Sequence, residues 1–201
     1  MNIGIDIDEV LCKTNDSFLK AFNKKHNTNI KRTDIFNYDY SCVEHFQRGY
    51  ILSELIKHLE LNLNNFEIVV DAKNVLKKLK NKGYKLYVIT ARNKELVSEK
   101  TIDWLNFHFG ENFFEKILFS NEGKNMRYCK SEITKKYNID ILIEDEPNYA
   151  TNCAELGIKV FLMDCPWNKK VVESNNLTRI YNWIDIENLL LNEMQQLKQL
   201  Q

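Results

Sequence analysis

Nothing in this 201-residue sequence offers a long apolar run, a close pair of cysteines or a surplus of either charge. Without about eighteen consecutive apolar residues there is no membrane span to place. The first residues carry no basic segment ahead of an apolar stretch and no small-residue cleavage site, so no secretory leader is expected and the expected location is cytoplasmic. The five cysteines, Cys12, Cys42, Cys129, Cys153 and Cys165, stand far apart, which excludes a zinc knuckle or a redox dithiol and reads as reduced thiols. The four histidines, His26, His45, His58 and His108, have no metal-ligand spacing either. Lys and Arg total 28, and Asp and Glu total 28. With no net charge there is no global field to draw a nucleic acid polymer or an anionic lipid surface. Internal repeats and low-complexity linkers are also missing.

What the chain does have is core-forming material: 44% of its residues are hydrophobic, enough for one α/β domain carrying an insertion. Strand signals recur at Ile3 to Ile7, Tyr84 to Ile89, Ile117 to Phe119, Ile139 to Ile143 and Lys159 to Met163. Helical stretches alternate with them, as at 71–83, where Asp71 reads as an N-cap and Gly83 as a stop, and at 130–137 and 147–156. Such alternation predicts a parallel sheet with right-handed crossovers. Residues 13–70 break the rhythm, because a crossover needs far fewer. Their apolar spacing (Phe18, Leu19, Phe22, then Ile51, Leu55, Ile56, Leu59) is helical, so they predict a small helical cap inserted after the first strand. The expected division is a core of 1–12 and 71–201 with a cap of 13–70. The tail, 183–201, reads as an amphipathic helix with Ile186, Leu189, Leu190, Met194 and Leu197 on one side. It is expected to pack on the sheet, with self-association into a homodimer as the alternative.

The chemistry sits where apolar runs stop. The first run, Ile3-Gly4-Ile5-Asp6-Ile7-Asp8-Glu9-Val10, ends on two carboxylates one residue apart, at the end of a strand where open α/β sheets place ligands. Two such acids repel, and a hard cation such as Mg²⁺ is the usual remedy, although an Asp-x-Asp can also simply cap a turn. The second run ends Ile89-Thr90-Ala91-Arg92, a hydroxyl able to donate to a phosphoryl oxygen or to cap the following helix. The fourth ends Ile143-Glu144-Asp145-Glu146-Pro147, again acids, so Asp6, Asp8 and Asp145, with Glu144 beside them, predict a Mg²⁺ site. Lys130, opening the helix before that strand, could aim at the same point or be solvated; Lys124, in a loop, competes for the role. In the cap, Phe36, Tyr38 and Tyr40 could pack the lid or stack on a flat ligand.

In order, Asp6-x-Asp8-x-Val10, Thr90, Lys130 and Glu144-Asp145 resemble the motifs of the haloacid dehalogenase superfamily of phosphohydrolases, whose fold is a Rossmann-like α/β core. More narrowly, Gly4 to Val10, Ile89-Thr90-Ala91-Arg92, Ile143-Glu144-Asp145 and Leu162-Met163-Asp164-Cys165-Pro166-Trp167-Asn168 resemble the 5′(3′)-deoxyribonucleotidases. The pattern departs in carrying Glu144-Asp145 where many relatives have two aspartates. The resemblance implies that Asp6 is the nucleophile and Asp8 the general acid and base. It also implies that Thr90 and Lys130 hold the phosphoryl group, with Ala91 and Arg92 beside it, and that Asp145 helps hold Mg²⁺, to which Asp8 lends its backbone carbonyl. The implied reaction is Mg²⁺-dependent hydrolysis of phosphate monoesters through an aspartyl-phosphate, with a nucleoside monophosphate as the expected substrate. The alternatives are a phosphatase for sugar phosphates or other small metabolites and, in another class, a receiver-like domain that only accepts phosphate. Against the receiver stand the long helical insertion and an acceptor on the first strand.

Overall fold

In the computed structural model, which describes residues 1–43, 46–123, 126–127 and 129–190, the chain forms one seven-stranded sheet. The strands are β1 (Asn2–Ile5), β2 (Lys85–Asn93), β3 (Lys116–Gly123), β4 (Met126–Arg127), β5 (Ile141–Glu144), β6 (Lys159–Met163) and β7 (Leu177–Ile180), in the order β4-β3-β2-β1-β5-β6-β7. All pairings are parallel except that of the short β4, which closes the edge antiparallel to β3. The first strand is thus central, and the α/β architecture is the expected one.

Strand residues alternate between two apolar layers, as a two-residue repeat demands. Ile141 and Ile143 of β5 join one buried cluster and Leu142 the other; Phe161 and Met163 of β6 face the first, Val160 and Leu162 the second. Glycine at position 4 leaves room for the side chains packed over β1. A Cβ would lie 2.7 Å from Ile89 Cδ1 and 3.2 Å from Ile139 Cγ2.

Two helices, α1 (Thr14–His26) and α2 (Arg48–Asn62), form the segment between β1 and the next helix, α3 (Ala72–Asn81). Phe18, Phe22, Ile35 and Ile51 bury themselves in a cluster of their own that also takes in Cys165 and Trp167, from the loop after β6. Three helices follow: α4 (Lys94–Phe109), α5 (Lys130–Lys136) and α6 (Pro147–Glu155). The helix that starts at 183 is described to 190. Trp183, Ile186 and Leu190 are fully buried against the sheet, and the Trp183 indole N–H donates to the Val10 carbonyl at 2.9 Å. Met194 and Leu197 lie outside the described residues. Among the described residues no helix is long and apolar enough to cross a membrane, and the five cysteines are free thiols.

Three local expectations are corrected. Asp71 does not cap α3: its backbone is left-handed (φ 64°) and its side chain makes no cap bond. β1 stops at Ile5 rather than Ile7, and the chain turns at once, with the Ile7 carbonyl accepting from Leu11 and Cys12 at 2.8 Å and Glu9 at φ 63°. Asp6 and Asp8 are therefore set by a turn and not by the pleat. β7, which carries Arg179, has no counterpart among the expected strands because its middle residues are only half-buried and its apolar signal is two residues long.

Candidate active site

The sheet delivers its functional groups to one edge by register. Ile5 pairs with Val88 and with Ile143, so the residues just beyond, Asp6, Thr90 and Glu144-Asp145, emerge together at the carboxyl end. The Asp6 N–H continues the ladder for one more bond, to the Ile143 carbonyl at 3.0 Å. Carboxylate oxygens of Asp6, Glu144 and Asp145, all buried, lie within 4.8 Å of one another.

Lys130, at the start of α5, projects into this acidic group and is itself 1% exposed. Its Nζ donates to Asp6 Oδ1 at 2.5 Å and to Glu144 Oε2 at 2.7 Å, and sits 4.9 Å from the centre of the Tyr149 ring. Burial disfavours its charge, but Asp6 and Glu144 outweigh that and hold the ammonium well above the lysine range. Lys124 lies outside the described residues. Glu144 has both oxygens committed, Oε2 to Lys130 and Oε1 to the N–H groups of Asp145 and Glu146, each at 3.1 Å.

Burial pushes Asp6 up to about 8, with the negative charges of Glu144 and Asp8 adding to it and Lys130 opposing. Asp145 is likewise raised well above the carboxylate range, by burial first and then by Glu144 and Asp6. Two carboxyls so placed ionise at neutral pH only beside further positive charge. The donor set of hard oxygens suits a divalent cation such as Mg²⁺. Among the described residues the Asp8 backbone carbonyl accepts no hydrogen bond, which leaves it available to the same ion.

Asp8 is held differently. The Arg92 guanidinium grips it as a fork, Nε to Oδ2 at 3.1 Å and Nη2 to Oδ1 at 2.7 Å, and the Thr14 hydroxyl donates to Oδ1 as well. Burial raises this carboxyl, yet the Arg92 charge and the hydrogen bonds from Arg92 and Thr14 hold it below its ordinary value. Arg92 is anchored in turn by Nη1 to the Thr101 hydroxyl at 3.3 Å. Arg92 is expected beside the phosphoryl group; in the structure its donors go to Asp8 and Thr101, and the β2–β3 register shifts between Thr90 and Asn93. Thr90 is fully buried, and its Oγ1 accepts the Arg92 N–H at 3.2 Å, leaving its hydroxyl proton free to donate. Ala91, half-buried, lies between them.

Above these groups lies a cavity lined by Asp8 and Asp145 below and by Tyr38, Tyr40, Ile35 and Leu55 of the 13–70 segment above. Of the three aromatics singled out there, Tyr38 and Tyr40 reach it. Tyr40 is buried and donates its hydroxyl to Asn15 Oδ1, so it is first a packing residue. Phe36 is 60% exposed and is not among the residues that line the cavity. Two groups at the cavity escaped the sequence reading of the site. Trp167 lines it, with the only signal its place in the Asp164 to Asn168 segment. Glu9, beside the aspartates in sequence, accepts from the Asn15 N–H at 2.6 Å and pairs with Arg32 at 2.8 Å, tying the turn after β1 to the 13–70 segment.

Comparison with known proteins places this geometry. Among solved structures, the chain is similar to a haloacid dehalogenase-like family hydrolase of Streptococcus pneumoniae, with a TM-score of 0.67, 13% identity, and 94% of this chain and 97% of that one covered. It is also similar to a predicted phosphatase from Clostridium acetobutylicum, with a TM-score of 0.67, 14% identity, and coverage of 95% and 98%. These likenesses carry the fold, which with its acid-tipped central strand is that of the haloacid dehalogenase superfamily hydrolases. Within that class, residues 1–196 match the family described as 5′ nucleotidase, deoxy (pyrimidine), cytosolic type C protein, and the chain belongs to it. In sequence it is 24% identical over 193 residues to a nucleotidase of Clostridium acetobutylicum, across 92% of this chain and 91% of that one. The protein is a phosphoric monoester hydrolase.

Proposed function

We propose that the enzyme is a Mg²⁺-dependent 5′-nucleotidase acting on (deoxy)nucleoside monophosphates, with Asp6 as the nucleophile. The observation that carries this reading is the convergence of Asp6, Lys130, Glu144 and Asp145 at the end of the central strand, with Asp8 beside them. The carboxylates of Asp6 and Asp145 and the carbonyl of Asp8 would hold the cation, while Glu144 seats Lys130. When bound, Mg²⁺ would supply positive charge that lets an anionic phosphate approach a carboxylate.

Asp6 attacks phosphorus and the ester oxygen leaves, giving an aspartyl-phosphate and a free alcohol. Asp8 donates the proton that the departing oxygen takes up, then removes one from the water that attacks the phosphorus of the aspartyl-phosphate. As found, Asp8 is a carboxylate locked by Arg92 and Thr14, a poor acid. To act as the acid it takes up a proton from solvent as substrate binding loosens that grip, and the proton it later removes from the attacking water restores the acid form for the next turnover. Lys130 and the Thr90 hydroxyl stabilise the charge that grows on the phosphoryl oxygens.

Residues 13–70 act as the cap that selects the leaving group. Tyr38 and Trp167, with ring centroids 6.2 Å apart, give the cavity an aromatic wall suited to a flat base. The cavity measures about 110 Å³; ligand sites commonly measure roughly 300–1,000 Å³, so the cap opens to admit a whole nucleotide. Phosphate release from a panel of deoxyribonucleoside, ribonucleoside and sugar monophosphates, with and without Mg²⁺, tests the proposal. Release is expected only with Mg²⁺ and fastest from nucleotides; a preference for sugar phosphates would remove the nucleotidase assignment of substrate.

A further inference from the structure

The segment after β6, Asp164-Cys165-Pro166-Trp167-Asn168, takes no part in the chemistry above, yet its side chains and those bonded to it converge on Asp145. We propose that Trp167 is a positioning residue for the metal site, its indole N–H fixing the Asp145 carboxylate in the orientation that holds the cation. The proposal rests on the Mg²⁺ reading of the site.

The indole Nε1–H donates to Asp145 Oδ2 at 3.0 Å, and Trp167 is buried. Among the described residues Asp145 Oδ1 has no partner, so the indole occupies one carboxylate oxygen and leaves the other to the ion. A carboxylate on a short side chain turns about two torsions, and a donor on one oxygen removes that freedom before the metal arrives; groups that orient metal ligands in this way commonly matter as much as the ligands. The ring is itself held. The Arg32 guanidinium lies 5.4 Å from its centre, and Tyr38 meets it edge-on.

The backbone around it is also fixed. Asn168 Nδ2 donates to the Asp145 carbonyl at 2.9 Å and to the Met163 carbonyl at 2.7 Å, spanning the ends of β5 and β6. Arg179, from β7, donates to Asn168 Oδ1 at 2.7 Å and to the Asn168 carbonyl at 3.0 Å. The last strand of the sheet thus braces the loop that braces the metal ligand. A tryptophan that only walled the cavity would need no partner for its N–H on a carboxylate. This one donates to a carboxylate of the acidic group at the end of the central strand.

The test is Mg²⁺ binding to the free enzyme, read by calorimetric titration and by the Mg²⁺ dependence of the melting temperature, so that turnover is not the readout. Two replacements are compared with the wild type: Trp167→Phe, and 3-benzothienylalanine at position 167, which keeps the shape of the ring and lacks only the N–H. Both are expected to raise the Mg²⁺ concentration at half-saturation by about 10- to 100-fold, with the metal-free melting temperature of the benzothienyl protein unchanged. Tyr38→Phe, which leaves the indole bond intact, is expected to bind Mg²⁺ as the wild type does. Unaltered Mg²⁺ affinity in the benzothienyl protein, beside a wild type that binds, overturns the inference alone. A wild type that neither binds Mg²⁺ nor is stabilised by it overturns the metal reading, and this inference with it.

Discussion

The two walls of the cavity are built by opposite means. On the sheet side, charged groups are paired and anchored: Lys130, from the start of α5, to Asp6 and Glu144, and Arg92, near the end of β2, to Asp8 and to Thr101 of α4. On the side of the 13–70 segment, the wall is apolar and aromatic, and its polar contacts hold the segment itself, as Tyr40 does to Asn15, or tie it to the core, as Arg32 does to Glu9. Groups that stabilise a transition state must be fixed before substrate arrives, and ion pairs on a sheet do that. A wall that recognises a leaving group needs shape and area, which aromatic side chains supply. On the proposed reading, reaction class resides in the sheet and substrate choice in the 13–70 segment.

Substitutions on the two sides should separate these roles. The largest effect is expected from Asp6→Asn, which should lower phosphate release by at least about 10⁴-fold, as loss of a nucleophile does, with an unchanged circular dichroism spectrum. Residual turnover near that of the wild type would take the nucleophile's role away from Asp6. Lys130→Met should damage both activity and folding. Removing the cation from a buried pair leaves unpaired carboxylates at a cost of about 3–5 kcal/mol, to be read in urea melts of the metal-free protein.

Next comes Arg92→Leu. The guanidinium holds the Asp8 carboxyl below its ordinary value, so without it burial prevails and the Asp8 pKa rises. Because Asp8 must be protonated to act as the acid, the alkaline limb of the kcat/KM profile should therefore move to higher pH, with kcat down about 10²-fold. A limb that stays in place would show that Asp8 is not the group titrating. The smallest effects belong to the cap. Tyr38→Ala should raise KM for nucleoside monophosphates by roughly tenfold, the worth of one lost aromatic contact, with little change for a small phosphate ester. Phe36→Ala should change neither KM nor kcat by as much as twofold, since a side chain away from the cavity has little to contribute.

Much of the sheet side was legible in the sequence, because an apolar run that stops on an acid or a hydroxyl marks a strand end. A parallel sheet brings such ends together. Asp6, Thr90 and Asp145 could be read in that way without knowing what lies between them. The partners of Asp8 could not: Arg92 lies two residues beyond Thr90, past the end of the apolar run, and spacing along the chain does not say that its fork closes on Asp8. Glu144 reads as a metal ligand from its place beside Asp145, whereas its oxygens go to Lys130 and two backbone N–H groups, a matter of side-chain direction that spacing does not carry. In the cap, helical spacing revealed α1 and α2, but which aromatics point inward depends on a non-helical segment, and Phe36 and Tyr38, two residues apart, end on different sides. Trp167 gave only the signal of its place in the Asp164 to Asn168 segment. Its partner, Asp145, is far away in sequence.

The central claim is that phosphate passes through Asp6. Rapid quenching of the enzyme during turnover of a deoxyribonucleoside monophosphate with Mg²⁺, followed by borohydride reduction and peptide mass spectrometry, reads this directly. Homoserine at position 6, absent without substrate and absent without Mg²⁺, is the predicted result; phosphate released at the full rate with position 6 unmodified would contradict the account.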